Sequence, residues 1–339
     1  MLITAIVEMN LDCRCLILSI NSQPSPGWIP ALSKLTWEQF PLARHEHTNR
    51  TQAERRSHPC GMVRSKVQCQ GLCSLHIPLL RHSPDAYAPF TSKLESLGYT
   101  IFAKTLPAVE NPDPPQNLAE DIAAVHSLLD EAIGDGNDVV VVAHSWGGIV
   151  AGSALAGYSV KEREASSQKG GVVRALYIAA FIVDQGVSLL DCVGGDAPPW
   201  SRVEVSEPAK HDGFPSASSN RFTDALRLKG RYIYSVGSPF YEDLPDQEQQ
   251  VLKDALRPHA WDTFRKGATA ASWLKIPTSY LLCEKDQAIP GFAQEAMVKN
   301  AEAKGGVIEV TRLASSHSPF LSRSDETVDW FREAAGGSW

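Results

Sequence analysis

The sequence predicts an α/β fold with a mostly parallel, doubly wound sheet, and two observations lead to this prediction. Beyond residue 73, short apolar runs alternate with amphipathic segments, which is the pattern of strands joined by helices. One run, at 139–143, reads V-V-V-V-A without a polar residue. A strand of this kind is typical of the centre of a parallel sheet, because helices cover both of its faces there.

The same patterns place the other elements along the chain. A helix is predicted at 117–133 because apolar residues recur there at helical spacing. A second helix is predicted from Ser83-Pro84-Asp85 to near Gly98, with a capping hydroxyl at its start and a glycine at its end. Apolar runs predict the remaining strands, at 75–80, 99–103, 175–182, 278–283 and 307–313.

Composition limits the classes of function. Of the 339 residues, 43% are hydrophobic and the formal net charge is −7, so the chain has material for a core but no excess of basic residues for nucleic-acid binding. No apolar run is long enough to span a membrane. The seven cysteines are an odd and unevenly placed set, and acidic residues interrupt the apolar N-terminus. These features favour a cytoplasmic protein with reduced thiols.

Two regions depart from the strand and helix alternation. Residues 1–72 are poorly patterned and are interpreted as an N-terminal extension to a domain at 73–339. Residues from about 188 to 272 lack the alternation but are rich in aromatic side chains, so they are predicted to form an inserted helical lid.

The segment directly after the valine run carries the strongest functional signal. It reads Ala143-His144-Ser145-Trp146-Gly147-Gly148 and leads into a helical stretch. Small residues two positions before and two after a serine allow a strand to turn sharply into a helix, which projects the hydroxyl at the carboxyl end of the sheet. Ser145 is therefore predicted to be a catalytic nucleophile.

This segment resembles the nucleophile elbow of the α/β-hydrolase superfamily, with Ala143 in place of the first glycine of G-x-S-x-G. More narrowly, the chain from about residue 76 to the C-terminus is similar to the small branch that contains plant methylesterases, hydroxynitrile lyases and many microbial hydrolases. The resemblance implies an α/β-hydrolase fold and a catalytic triad in the chain order serine, acid, histidine.

The resemblance also points to the acid and the base. Asp286 follows the strand at 278–283 and matches the family's acid, whereas His317 follows the last strand and matches its histidine. A serine needs such a base, and the base needs a carboxylate that orients it. Glu284 and Asp184 remain competing candidates for the acid.

The oxyanion hole presents an anomaly. Its donors should be the backbone amides of Trp146 and of Leu80, but Leu79 stands where relatives have glycine. Either the turn is altered, which would weaken or redirect activity, or the residues before about Pro78 are a non-native extension, as from a misplaced exon boundary. The lack of pattern in residues 1–72 favours the second explanation.

The sequence contains other candidate site residues. His144 should point away from the reacting centre, whereas Trp200 and His259 are candidate residues of the substrate pocket. No metal is predicted, because the spacing of the possible ligands matches no zinc pattern. These ligands are His58, Cys60, Cys69, Cys73 and His76. No dinucleotide fingerprint occurs, so no cofactor is implied.

The sequence therefore predicts a serine hydrolase that cleaves a carboxylic ester or lactone of a small, largely apolar substrate, without a nucleic-acid or membrane partner. Two alternatives remain. A C–C lyase of the hydroxynitrile-lyase type requires a basic residue in the pocket, for which Lys253 and Lys266 are candidates. A non-catalytic small-molecule binding protein would have lost its oxyanion hole at Leu79.

Overall fold

The fold is known from a computed structural model. It describes residues 13–19, 72–76, 87–198, 201–206, 230–235 and 239–336. Among these residues, none of the helices is both long enough and apolar enough to span a bilayer.

The main sheet contains seven strands within the described residues: β1 (Cys13–Ser19), β2 (Leu72–His76), β3 (Tyr99–Ala103), β4 (Asp138–His144), β5 (Gly171–Ile178), β9 (Thr278–Cys283) and β10 (Ile308–Leu313). Their order across the sheet is β1-β3-β2-β4-β5-β9-β10. Strand β1 also pairs with β2 and β4. All pairs are parallel except β1–β2, which is antiparallel. Strand β1 comes from the first 72 residues, where the sequence shows no regular pattern.

Strand β4 is buried on both faces, as the valine run predicts. Val139 and Val141 pack into one apolar cluster, and Val140 and Val142 into another on the opposite face. All four valines are fully buried. Because successive side chains of a strand point to opposite faces, the run supplies both layers of the core at once.

Helices cover both faces of the sheet. They are α1 (Ala88–Ser96), α2 (Ala119–Ile133), α3 (Gly147–Ala154), α4 (Val160–Ala165), α7 (Gly291–Ala303), α8 (Pro319–Ser322) and α9 (Ser324–Ala334). Buried residues of α2, α3 and α7 join the first cluster, and those of α1 and α9 join the second. The doubly wound α/β architecture predicted from the sequence is therefore confirmed.

Strand β5 differs in position from the run at 175–182 that predicted it. It begins at Gly171 and ends at Ile178. The strand includes Arg174, which a search for apolar runs excludes and which forms an ion pair with Glu309 at 2.7 Å. Residues 179–182 are buried but lie beyond the strand, and Ala179 has a positive φ of 40°.

The insertion at 188–272 combines helices with a second sheet, so the expectation of a helical lid is not confirmed. Its elements are α5 (Leu189–Val193), β6 (Ser201–Ser206), β7 (Gly230–Ser235), α6 (Asp246–Asp254), β8 (His259–Ala260) and 3₁₀ turns at Trp261–Arg265 and Ser272–Leu274. Strands β6, β7 and β8 pair antiparallel. Aromatic and β-branched residues, such as those of R-Y-I-Y in β7, favour strands.

A short strap at 108–110 connects the main domain to the insertion. The carbonyl of Ala108 accepts a hydrogen bond from the Ala260 amide at 2.8 Å, and the amide of Glu110 donates to the Pro258 carbonyl at 2.9 Å. On the other side, the Ala108 amide donates to Oδ1 of Asp121 at 2.9 Å. The Asp121 side chain on α2 thus attaches the strap to the main domain.

Asp121 is expected to make stability depend on pH. It is fully buried, and burial raises its pKa from 3.8 to about 7. Between these two values the folded chain keeps a proton that the unfolded chain loses, so the free energy of unfolding should fall by about 1.4 kcal/mol per pH unit as pH rises. Above pH 7 this contribution should be constant. Asp121→Asn should remove the slope, measured by urea denaturation from pH 4 to 8.

Asp113→Asn is the control for this experiment, because Asp113 is an exposed acid close to the same strap. Its denaturation curves should follow those of the wild type at every pH. A constant stability difference between Asp121→Asn and the wild type across this range would show that Asp121 is ionised in the folded chain.

Candidate active site

Ser145 occupies a strained turn between β4 and α3. Its φ is 56°, which is uncommon for a residue other than glycine. Its carbonyl accepts hydrogen bonds from the amides of Gly148 at 3.1 Å and Phe181 at 2.9 Å, and its amide donates to the Ile178 carbonyl at 3.3 Å. The backbone at the end of β5 therefore holds the turn in this conformation.

Gly148 permits the close approach of α3 to the chain after β5. A Cβ atom at this position would lie 2.2 Å from the Phe181 carbonyl oxygen, which is backbone and cannot move aside. Ala143, which replaces the first glycine of the usual motif, is accommodated as a buried side chain of the core. Ala143 of the motif thus carries a methyl group, whereas Gly148, the residue directly after the motif, excludes one.

The hydroxyl of Ser145 is buried, and no hydrogen-bond partner is found for its oxygen within the described residues. Among the backbone–backbone hydrogen bonds of the described residues, none is donated by the amide of Trp146. A buried hydroxyl followed directly in the chain by an N–H donor is the arrangement that a nucleophile and an oxyanion donor require.

Asp286 is a buried carboxylate with a full set of donors. Its Oδ1 accepts the amides of Ala288 at 2.6 Å and Ile289 at 2.9 Å. Its Oδ2 accepts from Gln294 Nε2 at 3.0 Å and from His317 Nδ1 at 2.7 Å. Burial raises the pKa of Asp286 above its ordinary value, whereas the hydrogen bond from His317 and those from the two amides oppose this shift.

His317 is joined to both of the other loops that carry predicted site residues. Nδ1 donates to the Asp286 carboxylate, and Nε2 is the ring nitrogen on the opposite side. The backbone carbonyl of His317 lies 2.8 Å from Nε2 of His144, the residue before Ser145. The two imidazole rings are 4.5 Å apart. His144 thus ties the histidine loop to the nucleophile turn.

The two competing acids lie elsewhere. Glu284 is exposed, whereas Asp286 is buried. Asp184 accepts hydrogen bonds from Asn300 at 3.2 Å and from Lys304. Among the three candidates, the hydrogen bond to His317 is made by Asp286.

His259 of the insertion lies against Trp146, the residue that follows Ser145. Its ring centroid is 4.8 Å from that of Trp146, and the two planes are nearly perpendicular. Thr263 Oγ1 donates to the Ala260 carbonyl and therefore accepts from His259 Nε2 at 2.9 Å. Phe264 stacks on His259 at 4.7 Å and lies 5.9 Å from Trp146. The insertion thus brings an aromatic group to the nucleophile turn.

Several of the predicted residues lie outside the described part of the chain. These are Leu79, Leu80, Trp200 and the candidate metal ligands His58, Cys60 and Cys69. The two lysines considered for a lyase are described: Lys266 is exposed, and Lys253 lies partly exposed on α6 of the insertion. Since Ser145 is buried, an exposed lysine gives no support to a basic group beside it.

Sequence reasoning missed Gln294, which donates a hydrogen bond to Asp286, the predicted acid. Its side-chain amide donates to Asp286 Oδ2 and to the Ile289 carbonyl at 2.6 Å, and its Oε1 accepts the Cys283 amide at 3.1 Å. A signal for it exists in the sequence. Gln294 occupies the same face of α7 as the buried Val298 and Ala301, and a polar residue on an apolar helix face usually has a buried partner.

A parallel sheet with a serine on the turn after its central strand defines a hydrolase of the α/β type. Comparison with known proteins agrees with this class: the α/β hydrolase family profile matches residues 78–330. An α/β hydrolase of Aspergillus novofumigatus, nvfD, is 30% identical over 260 residues, which are 77% of this chain and 95% of the relative. The chain therefore belongs to the α/β hydrolase family.

More distant relatives share the fold. A probable hydrolase of Phoma sp., R7, is 28% identical over 268 residues, covering 76% of this chain and 98% of the relative. The crystal structure of a pyrethroid hydrolase from Sphingobium faniae superposes with a TM-score of 0.51 at 18% identity, over 77% of this chain and 95% of that one. Polyneuridine aldehyde esterase superposes with a TM-score of 0.51 at 17% identity, over 73% and 92%.

Gly148→Ala should destabilise the nucleophile turn, because the new methyl group would meet a backbone carbonyl at 2.2 Å. We expect a loss of about 3 kcal/mol in the free energy of unfolding, measured by chemical denaturation. Gly152→Ala is the matched control in the same helix, since its Cβ would lie 3.7 Å from the Ala270 carbonyl oxygen, at ordinary contact distance. The control should gain up to about 1 kcal/mol. Equal stability of the two variants would contradict the close approach.

Proposed function

We propose that this chain is a serine hydrolase that cleaves a carboxylic ester or lactone, with Ser145 as nucleophile, His317 as base and Asp286 as acid. The observation that carries this proposal is the hydrogen bond of 2.7 Å between His317 and Asp286, in a loop that His144 ties to the Ser145 turn. The buried Ser145 hydroxyl, which has no partner within the described residues, supports the same assignment.

In the proposed reaction, Nε2 of His317 takes the proton of the Ser145 hydroxyl as the oxygen attacks the ester carbonyl carbon. Asp286 holds the ring in the required tautomer and stabilises the imidazolium that forms. The amide of Trp146 donates to the oxyanion, which supplies one of the two donors that such a site usually has. His317 then gives its proton to the leaving alkoxide, and the alcohol departs.

The acyl group is released by water. His317 removes a proton from the water, the resulting hydroxide attacks the acyl carbonyl, and the Ser145 oxygen leaves with the proton returned from the ring. For a lactone, the alcohol and the acid remain parts of one molecule. The side chains of Trp146, His259 and Phe264 form an aromatic group beside the turn, which favours a small and largely apolar substrate.

A fluorophosphonate probe tests the nucleophile directly. Wild-type protein should become covalently labelled at Ser145, and Ser145→Ala should not, measured by intact-protein mass spectrometry. Ser153→Ala is the matched control, because Ser153 is a buried serine of α3 whose hydroxyl bonds to the Ile149 carbonyl at 2.8 Å. It should be labelled like the wild type.

Hydrolysis of p-nitrophenyl esters with acyl chains of two to twelve carbons should accompany labelling. Ser145→Ala and His317→Ala should each lower kcat by about a thousandfold or more, because the triad acts as a unit. Folded wild-type protein that is neither labelled nor active on any ester would contradict the proposal and favour a binding role.

A further inference from the structure

The loop that carries His317 is held from two sides. It comprises residues 314–318, between β10 and α8. On the sheet side, the carbonyl of Ser315 accepts the Lys285 amide at 3.0 Å, and the carbonyl of His317 is bound by His144. These contacts come from the loop after β9 and from the end of β4, so they belong to the main domain.

On the other side, the contacts come from Asp243 of the insertion. Its Oδ2 accepts the backbone amide of Ser316 at 2.8 Å and the hydroxyl of Ser322 at 2.7 Å. Its Oδ1 accepts the hydroxyl of Ser316. One carboxylate therefore bonds to Ser316, the residue before His317, and to Ser322, the last residue of α8. It thus connects the two ends of the segment that contains the histidine and this short helix.

The segment that carries Asp243 is anchored by buried aromatic residues. Phe240 and Tyr241 are fully buried and form an apolar cluster with Ala288, two residues after the acid Asp286. The ring of Phe240 lies 6.1 Å from that of His317. Asp243 itself is exposed, so its hydrogen bonds form at the surface of a segment that the buried aromatics hold in place.

We propose that Asp243 is a positioning residue for His317, through which the insertion fixes the base relative to the nucleophile. This inference rests on the proposed hydrolase function for its kinetic consequence. Asp243 acts through Ser316 and Ser322 and is assigned no contact with substrate. When its carboxylate is removed, the histidine loop keeps its contacts to the main domain and a long hydrogen bond of 3.5 Å from the Ser316 hydroxyl to the Phe240 carbonyl, and the ring samples orientations in which Nε2 is displaced from Ser145.

The kinetic test uses Asp243→Ala with p-nitrophenyl butyrate as substrate. We expect kcat to fall about tenfold while KM changes less than about twofold, because small displacements of a catalytic group reduce rate more than binding. Ser316→Ala removes the hydrogen bond that the Ser316 hydroxyl donates to Asp243. The double variant should lose less than the product of the two single losses, since both substitutions remove the same contact.

A spectroscopic readout is independent of activity. The proton that His317 Nδ1 shares with Asp286 should give a strongly downfield NMR resonance in the full-length protein, assigned by its loss in His317→Asn. In Asp243→Ala this resonance should broaden or disappear through exchange with water. Asp246→Asn is the matched control, since Asp246 is an exposed acid three residues further on, at the start of α6. It should keep both the resonance and the wild-type kcat.

The outcomes separate the two proposals. An unchanged resonance in Asp243→Ala would overturn the positioning role, whether or not the protein is labelled by the fluorophosphonate. A third outcome is that Asp243→Ala loses the resonance while the wild-type protein is not labelled by the probe. This combination would support the positioning of the ring and contradict the hydrolase function. A kcat of Asp243→Ala that is no lower than the kcat of Asp246→Asn would also overturn the positioning role.

Discussion

The site depends on the contact between the backbone after β5 and the start of α3. Ser145 keeps its positive φ because its carbonyl accepts two amides, those of Gly148 and Phe181, and its own amide is also bonded. Because these are main-chain hydrogen bonds, the positive φ of Ser145 is maintained by the arrangement of β4, β5 and α3. The absence of a side chain at Gly148 is the condition for that arrangement, which places Ser145 directly after the buried carboxyl end of β4.

Electrostatics at the other two loops follow from burial. A carboxyl group without solvent prefers its proton, and the site offsets this preference with four N–H donors around Asp286. Two of these donors are main-chain amides of the same loop. The third is Gln294, whose position on the apolar face of α7 is explained by this task. The fourth is His317, whose ring orientation is therefore coupled to the ionisation of its partner.

The sequence was sufficient for those parts that depend on local chemistry. The valine run predicted β4, and the spacing of small residues around Ser145 predicted the turn that the structure shows. The insertion was harder, because its strands are short, antiparallel and held by pairing with distant residues, which local periodicity does not record. Asp243 lies 73 residues from Ser316 in the chain, so only the fold reveals that they meet. The N-terminal strand β1 likewise has no pattern that indicates its place in the sheet.

The strap at 108–110 and Asp243 attach the insertion in chemically different ways. Main-chain hydrogen bonds of the strap form with almost any amino acid, so that attachment survives sequence change. Asp243 depends on one carboxylate and two serine hydroxyls, so a single substitution is enough to alter it. Sequence change in the insertion can therefore leave the strap intact, whereas the link to the loop of His317 is open to change at a single codon.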